Sequence, residues 1–200
     1  MASINIDIDN TVNDFLEQFL YFVNGMNDNL LHSGKMFNVN DITSYRLQTA
    51  TGIKDEILQT MFFKNDEFYR HLSPLPDSVR VIKRLVEAGN EVKFVTAINY
   101  EAINSRLAFI REHFPFVDVD RSLIVTNDKS TIWADIVIDD YFNNLYNNRN
   151  DANCTYILFS QPWNNFAKPS QHTIAYSWKD IEEIMETLNV LPSENGGYYD

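Results

Sequence analysis

A second cysteine is missing from this chain. Cys154 stands alone among 200 residues, so no intrachain disulfide can form, which fits a reducing cytosol. Basic residues are scarce as well: 16 Lys and Arg face 28 Asp and Glu, a net charge of −12. A binder of nucleic-acid polymers carries a basic footprint, and none is visible. No apolar run approaches the length that crosses a bilayer, so no membrane partner is expected. The N-terminus lacks the basic region and apolar stretch of an export signal and enters a strand-like pattern almost at once. The expectation is a cytoplasmic protein. There is no internal repeat and no low-complexity segment. His32, His71, His113 and His172 are scattered without ligand spacing and receive no role.

What is present is ordinary for a globular domain: 44% apolar and 22% charged residues. Two hundred residues suit one domain with a modest insertion. The acidic balance has a consequence for ligands. It repels a free phosphate ester at long range, so such a substrate would require a bound cation and local basic groups.

Ile4, Ile6 and Ile8 alternate with polar residues and read as a strand. From Thr11 onward the period changes. Leu16, Phe19, Leu20 and Val23 recur at helical spacing, so a helix is expected directly after the strand. Residues 24–40 are rich in Asn and Gly and read as a loop. Two helical stretches follow near 41–50 and 53–63, parted by Thr51-Gly52, and Pro74 and Pro76 mark a boundary. Beyond it the pattern alternates. Asp77–Ala88 is helical with a stop at Gly89, EVKFVT (91–96) is a strand, and 99–113 is helical. SLIV (122–125), DIVI (135–138), TYILF (155–159) and 173–175 read as strands, and 179–188 as a closing helix. Strands alternating with helices predict an α/β fold: a Rossmann-like, three-layer parallel sheet. The expected division is a core of residues 1–14 and 74–191, a small helical cap of 15–73 inserted after the first strand, and a loose tail of 192–200.

In open parallel sheets, sites form at the carboxyl ends of strands. The first strand ends in Asp7 and Asp9, the second in Thr96, and DIVI runs into Asp139-Asp140, with Lys129 in the loop before it. In extended backbone Asp7 and Asp9 point to the same side. One carboxylate can attack phosphorus while the other holds a proton for the leaving oxygen. Carboxylates this close need a cation, and an all-oxygen site suits Mg2+ better than zinc. Thr96 and Lys129 can hold non-bridging phosphate oxygens. Each piece alone has a plainer reading: a helix cap for the Asp residues, a solvated surface lysine, a strand threonine. Their order on successive strand ends is what raises the specificity.

These residues resemble the haloacid dehalogenase (HAD) superfamily. The matches are DxDxT at Asp7–Thr11, the strand ending at Thr96, Lys129, and the acidic pair Asp139-Asp140. The stretches EFYRHLSPLPDSVRVIKRL, EVKFVTA and TNDKSTIWADIVIDD are further similar to the 5′(3′)-deoxyribonucleotidase family, as is Asp14-Phe15 after the first motif. The resemblance implies a magnesium-dependent phosphatase acting on deoxyribonucleoside 5′-monophosphates, with uracil and thymine bases preferred. It implies Asp7 as nucleophile and metal ligand, and Asp9 as general acid/base with its carbonyl on the metal. Asp140 becomes the third protein ligand, supported by Asp139. Thr96 and Lys129 grip the phosphate, and Phe15 packs on the base. One departure stands out. Vertebrate members place Ser after the Thr, whereas this chain has Ala97, which leaves only its backbone N–H for the phosphate.

The 15–73 segment is aromatic, with Phe15, Phe19, Tyr21, Phe22, Phe62, Phe63, Phe68 and Tyr69. At helical spacing such residues mostly pack helices together, and Phe15 beside the first motif is the exception. Trp133, Trp163 and Trp178 are read as packing residues rather than base platforms. The partner is a small nucleoside monophosphate, and a homodimer is compatible with the pattern. Three alternatives remain open: a HAD phosphatase for another ester such as a sugar phosphate, a receiver-like phospho-acceptor, and an inert binding module. The receiver reading conflicts with motif order, since its phosphorylated Asp follows the third strand.

Overall fold

The computed structural model describes residues 1–26, 35–146 and 153–193. Part of the 24–40 loop, His32 and most of the expected 192–200 tail lie outside the described residues. The apolar runs form one six-stranded, wholly parallel sheet in the order β3-β2-β1-β4-β5-β6. The strands are β1 (Ser3–Ile6), β2 (Glu91–Thr96), β3 (Leu123–Val125), β4 (Ile136–Asp139), β5 (Thr155–Phe159) and β6 (Thr173–Ala175). β1 is central. Ile4 pairs with Val92 on one side and with Ile136 on the other.

Side chains on a strand alternate between faces, and the core divides accordingly. Ile4, Ile6, Phe94, Ile136, Ile138, Ile157 and Phe159 enter the main hydrophobic cluster. Val137 and Leu158, one residue out of phase, join a smaller cluster with Ala134 and Leu145. Between them lies the sheet, so the three-layer arrangement follows from the alternation. The first strand departs from a simple inside–outside pattern. Its polar positions Ser3 and Asn5 are also buried. Ser3 is satisfied by Asp135, which accepts from both its N–H (2.7 Å) and its hydroxyl (2.9 Å). A central parallel strand is covered on both faces, so its polar residues must find protein partners.

Helix Ser78–Glu87 carries β1 to β2 and packs against the closing helix Trp178–Thr187. Arg80 Nη1 and Nη2 donate to Glu182 at 2.5 and 2.7 Å, and Arg84 also donates to Glu182. Gly89, at φ 84°, ends the first of these helices in the left-handed region that glycine adopts without strain.

Between β1 and residue 78 the chain is helical and irregular. The expected helix from Thr11 begins instead at Phe15 and runs to Gly25. The physical reason is a tight loop. The N–H groups of Thr11, Val12 and Asn13 all turn back to the carbonyl of Ile8. Asn10, at φ 61°, and Asn13 then cap the helix: Asn13 Oδ1 accepts from Phe15 N–H and Asn10 Oδ1 from Leu16 N–H. The expected 41–50 helix shrinks to a single turn at Val39–Asp41 and a short helix at Leu47–Thr51. The 53–63 stretch is a turn of helix, Asp55–Leu58, that widens into a π segment over Gln59–Phe63. Asp66–Arg70 adds one more short helix. Entry and exit of this segment are tied together. Ser73 N–H donates to Asp14 Oδ1 (2.7 Å), and Leu75 N–H donates to the Val12 carbonyl (2.8 Å).

Candidate active site

Three adjacent strands end at one place. β1 runs into Asp7, whose N–H still pairs with the Ile138 carbonyl (2.9 Å), β2 ends at Thr96, and β4 ends at Asp139. Asp7, Asp139 and Asp140 are buried, and one oxygen from each lies within 4.8 Å of the others. Lys129 reaches in from a single turn before β4. Its Nζ lies 2.6 Å from Asp7 Oδ1 and 2.8 Å from Asp139 Oδ2.

The two residues of the acidic pair differ sharply. Asp139 is engaged by the protein: Tyr141 N–H (2.8 Å) and Asn144 Nδ2 (3.2 and 3.1 Å) donate to it besides Lys129. Asp140 is the opposite. Its backbone carbonyl is held by Trp163 Nε1 (3.2 Å) and Asn164 Nδ2 (2.9 Å), yet neither carboxylate oxygen has a donor. A buried carboxylate without a partner is costly, and a cation is the partner it lacks. The electrostatics agree. Burial pushes the Asp7 carboxyl up to about 7 against the pull of Lys129, with Asp139 raising it further. Asp140 is raised well above its ordinary value by burial and then by Asp7 and Asp139. Burial alone would lower Lys129, but Asp139 and Asp7 outweigh it and raise it. Three carboxylates share one ammonium, and an all-oxygen cluster of this kind fits a divalent cation.

Thr96 Oγ1 is buried without a protein partner and opens, with Ala97, onto the pocket of Asp7, Lys129 and Asp140. Of the residues singled out from sequence, Asp7, Thr96, Ala97, Lys129, Asp139 and Asp140 are thus brought together. Asp9, expected as the general acid/base with its backbone carbonyl on the metal, has its own side-chain partner. Its carboxylate turns to Arg106, whose Nη2 contacts Oδ1 at 2.6 Å and Oδ2 at 2.7 Å. The strand ends at Ile6, so the extended geometry that would aim Asp7 and Asp9 alike does not continue.

Asp9 also borders a second pocket, lined by Phe15, Tyr45, Leu47, Phe63, Tyr69 and Trp163. Phe15 lies parallel to Phe63 (6.0 Å, 10°) and edge-on to Phe68 (5.2 Å). Tyr45 stacks on Tyr141 (3.9 Å, 18°) and stands edge-on to Trp163 (6.1 Å). Desolvation, and after it the field of Asp140, Asp7, Asp139 and Asp9, raises the Tyr45 hydroxyl. Trp163 is therefore more than a packing residue: it lines the pocket and anchors Asp140. Trp178 is buried, donating to the Thr11 carbonyl (2.7 Å), and Trp133 is exposed.

Arg106, Tyr45 and Trp163 carried no signal in the sequence. Each is a single residue without a motif, whereas the strand-end residues were placed by the periodic strands beside them.

The parallel sheet defines a class of fold, and solved structures share it. A HAD family hydrolase from Deinococcus radiodurans R1, solved with bound phosphate and sodium, superposes with a TM-score of 0.58 at 9% identity, covering 95% of this chain and 97% of that one. A haloacid dehalogenase-like protein from Agrobacterium tumefaciens gives 0.61 at 11% identity, covering 94% and 98%. The fold is that of the HAD hydrolases. Sequence narrows the class. The family model described as 5′ nucleotidase, deoxy (pyrimidine), cytosolic type C protein (NT5C) matches residues 1–190, and the chain belongs to this family. The 5′(3′)-deoxyribonucleotidases of Bacillus subtilis (strain 168) and Bacillus phage SPbeta are each 25% identical over 180 residues, covering 90% of this chain and 95% of theirs. The protein is a phosphoric monoester hydrolase of the nucleotidase type.

Proposed function

We propose that the protein is a magnesium-dependent phosphatase for deoxyribonucleoside 5′-monophosphates, with pyrimidine bases preferred, working through a phospho-aspartate at Asp7. One observation carries the reading: the carboxylate–lysine pocket and the aromatic pocket adjoin, and Asp9 stands at their border. A nucleotide has the same two parts, an anionic phosphoryl group and a flat base joined by a sugar. Residues 15–73 serve as a cap over a core of residues 1–14 and 74–191. The single Cys154 accords with a cytoplasmic location.

Asp7, Asp140 and the backbone carbonyl of Asp9 would hold the cation, with Asp139 setting Lys129 beside it. When bound, Mg2+ neutralises charge on the phosphoryl oxygens and on Asp7, which lets one anion approach another. The Asp7 carboxylate attacks phosphorus, the bond from phosphorus to the ester oxygen breaks, and its electron pair leaves on that oxygen. Protonated Asp9 gives the departing oxygen its proton. Water then attacks the acyl phosphate as Asp9 takes its proton. The bond from phosphorus to Asp7 breaks, inorganic phosphate leaves, and the Asp7 carboxylate is restored. Thr96 Oγ1, the Ala97 N–H and Lys129 hold the non-bridging oxygens, and Lys129 offsets charge as the phosphoryl group moves. Phe15 and Tyr45 contact the base.

The test is a set of initial rates on dUMP, dTMP, dGMP, UMP and sugar phosphates, with and without magnesium. Deoxypyrimidine nucleotides should lead, and Asp7→Asn should abolish turnover. Equal rates on sugar phosphates would remove the nucleotide reading, and an active Asp7→Asn enzyme would remove the nucleophile.

A further inference from the structure

Arg106 is a fully enclosed arginine whose charge goes to one place. It lies on helix Ile103–His113, and its side chain is 1% exposed. One nitrogen, Nη2, meets both oxygens of Asp9 at 2.6 and 2.7 Å. Asn13 Nδ2 adds a third hydrogen bond to the same carboxylate, 2.9 Å to Oδ1. The guanidinium carbon lies 5.3 Å from the centre of the Tyr69 ring, and Nε has no partner. As a stabilising device this is a poor choice. Burying an ion pair gains little over burying apolar side chains, and here one guanidinium donor is also left unsatisfied. What the arrangement does achieve is a fixed orientation for Asp9 where the two pockets meet.

The same helix is fastened to the cap next door to Arg106. Ser105 N–H donates to Asp66 Oδ1 (3.1 Å), and Ser105 Oγ donates to the Asp66 carbonyl (3.0 Å). Asn99 Nδ2, just before the helix, donates to the Phe63 carbonyl (3.0 Å). Tyr69, which covers the guanidinium, belongs to the cap helix Asp66–Arg70 and also lines the aromatic pocket. A chain of contacts therefore runs from the cap, through Ser105 and Tyr69, to Arg106 and on to Asp9.

We propose that Arg106 is a positioning residue for Asp9, and that through Ser105 and Tyr69 it ties the orientation of this carboxylate to the seating of the cap. The inference rests on the role given to Asp9 in the proposed function. In the first half-reaction a misdirected acid harms only those esters whose leaving oxygen needs its proton. An alkyl oxygen such as the 5′-oxygen of a nucleotide needs it, whereas p-nitrophenolate departs without it. The later hydrolysis of the acyl phosphate, which also uses Asp9, is common to all substrates and does not enter kcat/KM.

The experiment compares kcat and KM on dUMP and on p-nitrophenyl phosphate, in magnesium, for the wild type and for Arg106→Met, Arg106→Lys and Asp66→Ala. Arg106→Met should lower kcat/KM on dUMP by about 30- to 100-fold and kcat/KM on p-nitrophenyl phosphate by less than about threefold. Arg106→Lys should recover part of the loss, because the observed contact uses a single nitrogen. Asp66→Ala changes a partly exposed residue and tests the cap side without emptying the core. It should show the same selectivity at about three- to tenfold. Equal losses of kcat/KM on both substrates, or none on either, would overturn the positioning role, and an unchanged kcat/KM on dUMP in Asp66→Ala would overturn the link to the cap. A wild type that hydrolyses another alkyl phosphate but not dUMP would remove the nucleotide reading alone. The Arg106 comparison is then made on that ester.

Discussion

The two pockets that meet at Asp9 are built in opposite ways. The carboxylate pocket is assembled from the ends of β1, β2 and β4, neighbours in a rigid sheet, together with the loop lysine beside them. The aromatic pocket draws Phe15, Leu47, Phe63 and Tyr69 from short helical pieces and Trp163 from beyond β5. In the first, hydrogen-bonded strands set the spacing, and charge decides which groups must be satisfied. In the second, the order comes from ring-on-ring contacts such as Tyr45 on Tyr141 and Phe15 on Phe63. The proposed function puts chemistry on the strand ends and recognition on the helical pieces, so damage to the two pockets should have different kinetic signatures.

The largest break in this contrast is expected at Asp140. Asp140→Asn removes a charge that no protein donor satisfies, so cation binding should suffer rather than folding. Turnover on every phosphate ester should fall by about 100-fold or more, and isothermal titration with Mg2+ should show weakened binding. Unchanged magnesium affinity would move the metal away from Asp140.

A smaller and selective effect is expected at Tyr45. The residue is 45% exposed, so Tyr45→Leu should leave the core intact while removing the stack on Tyr141. KM for dUMP should rise by about 5- to 12-fold, matching roughly 1–1.5 kcal/mol of aromatic contact, while p-nitrophenyl phosphate kinetics change little. A similar change on both substrates would mean that Tyr45 serves the carboxylate pocket instead.

The smallest effect lies outside both pockets and calibrates the other two. Glu182 receives Arg80 and Arg84 across two helices, and these arginines hold its carboxyl below the ordinary value near 4.5. A carboxyl lowered in the folded state stabilises above its unfolded pKa, and that stability is lost as pH falls through the folded value. Glu182→Gln should cost about 1 kcal/mol at pH 7, a modest figure because Arg80 is partly exposed. In thermal melts the wild type and variant should differ above pH 5 and converge in acid, with kcat unchanged. A gap that persists at pH 3 would assign the loss to packing.

Much of the sheet was legible because its strands are short apolar runs between polar residues, and because their ends carry the carboxylates. EVKFVT was read at 91–96 and is β2 over the same residues, while DIVI was read one residue before β4. The stretch between β1 and β2 was far less legible. Asn10 and Asn13 delay the first helix through side-chain hydrogen bonds that a hydrophobic period does not register. The widened turn at Gln59–Phe63 looks like ordinary helix in sequence, because apolar residues recur there at helical spacing in either case. Arg106 was invisible for a related reason: a lone arginine on a helix reads as a solvated residue unless its burial is known.

The sequence by itself determined the class of fold and the group of strand-end residues that line the carboxylate pocket. Both follow from local periodicity and from the chemistry of Asp, Thr and Lys at the ends of parallel strands. Only the tertiary structure decided which carboxylate is left free, which is held by Asn144 and Lys129, and that Asp9 answers to Arg106. Those outcomes depend on which buried donors reach which buried acceptors, and such partners lie far apart along the chain.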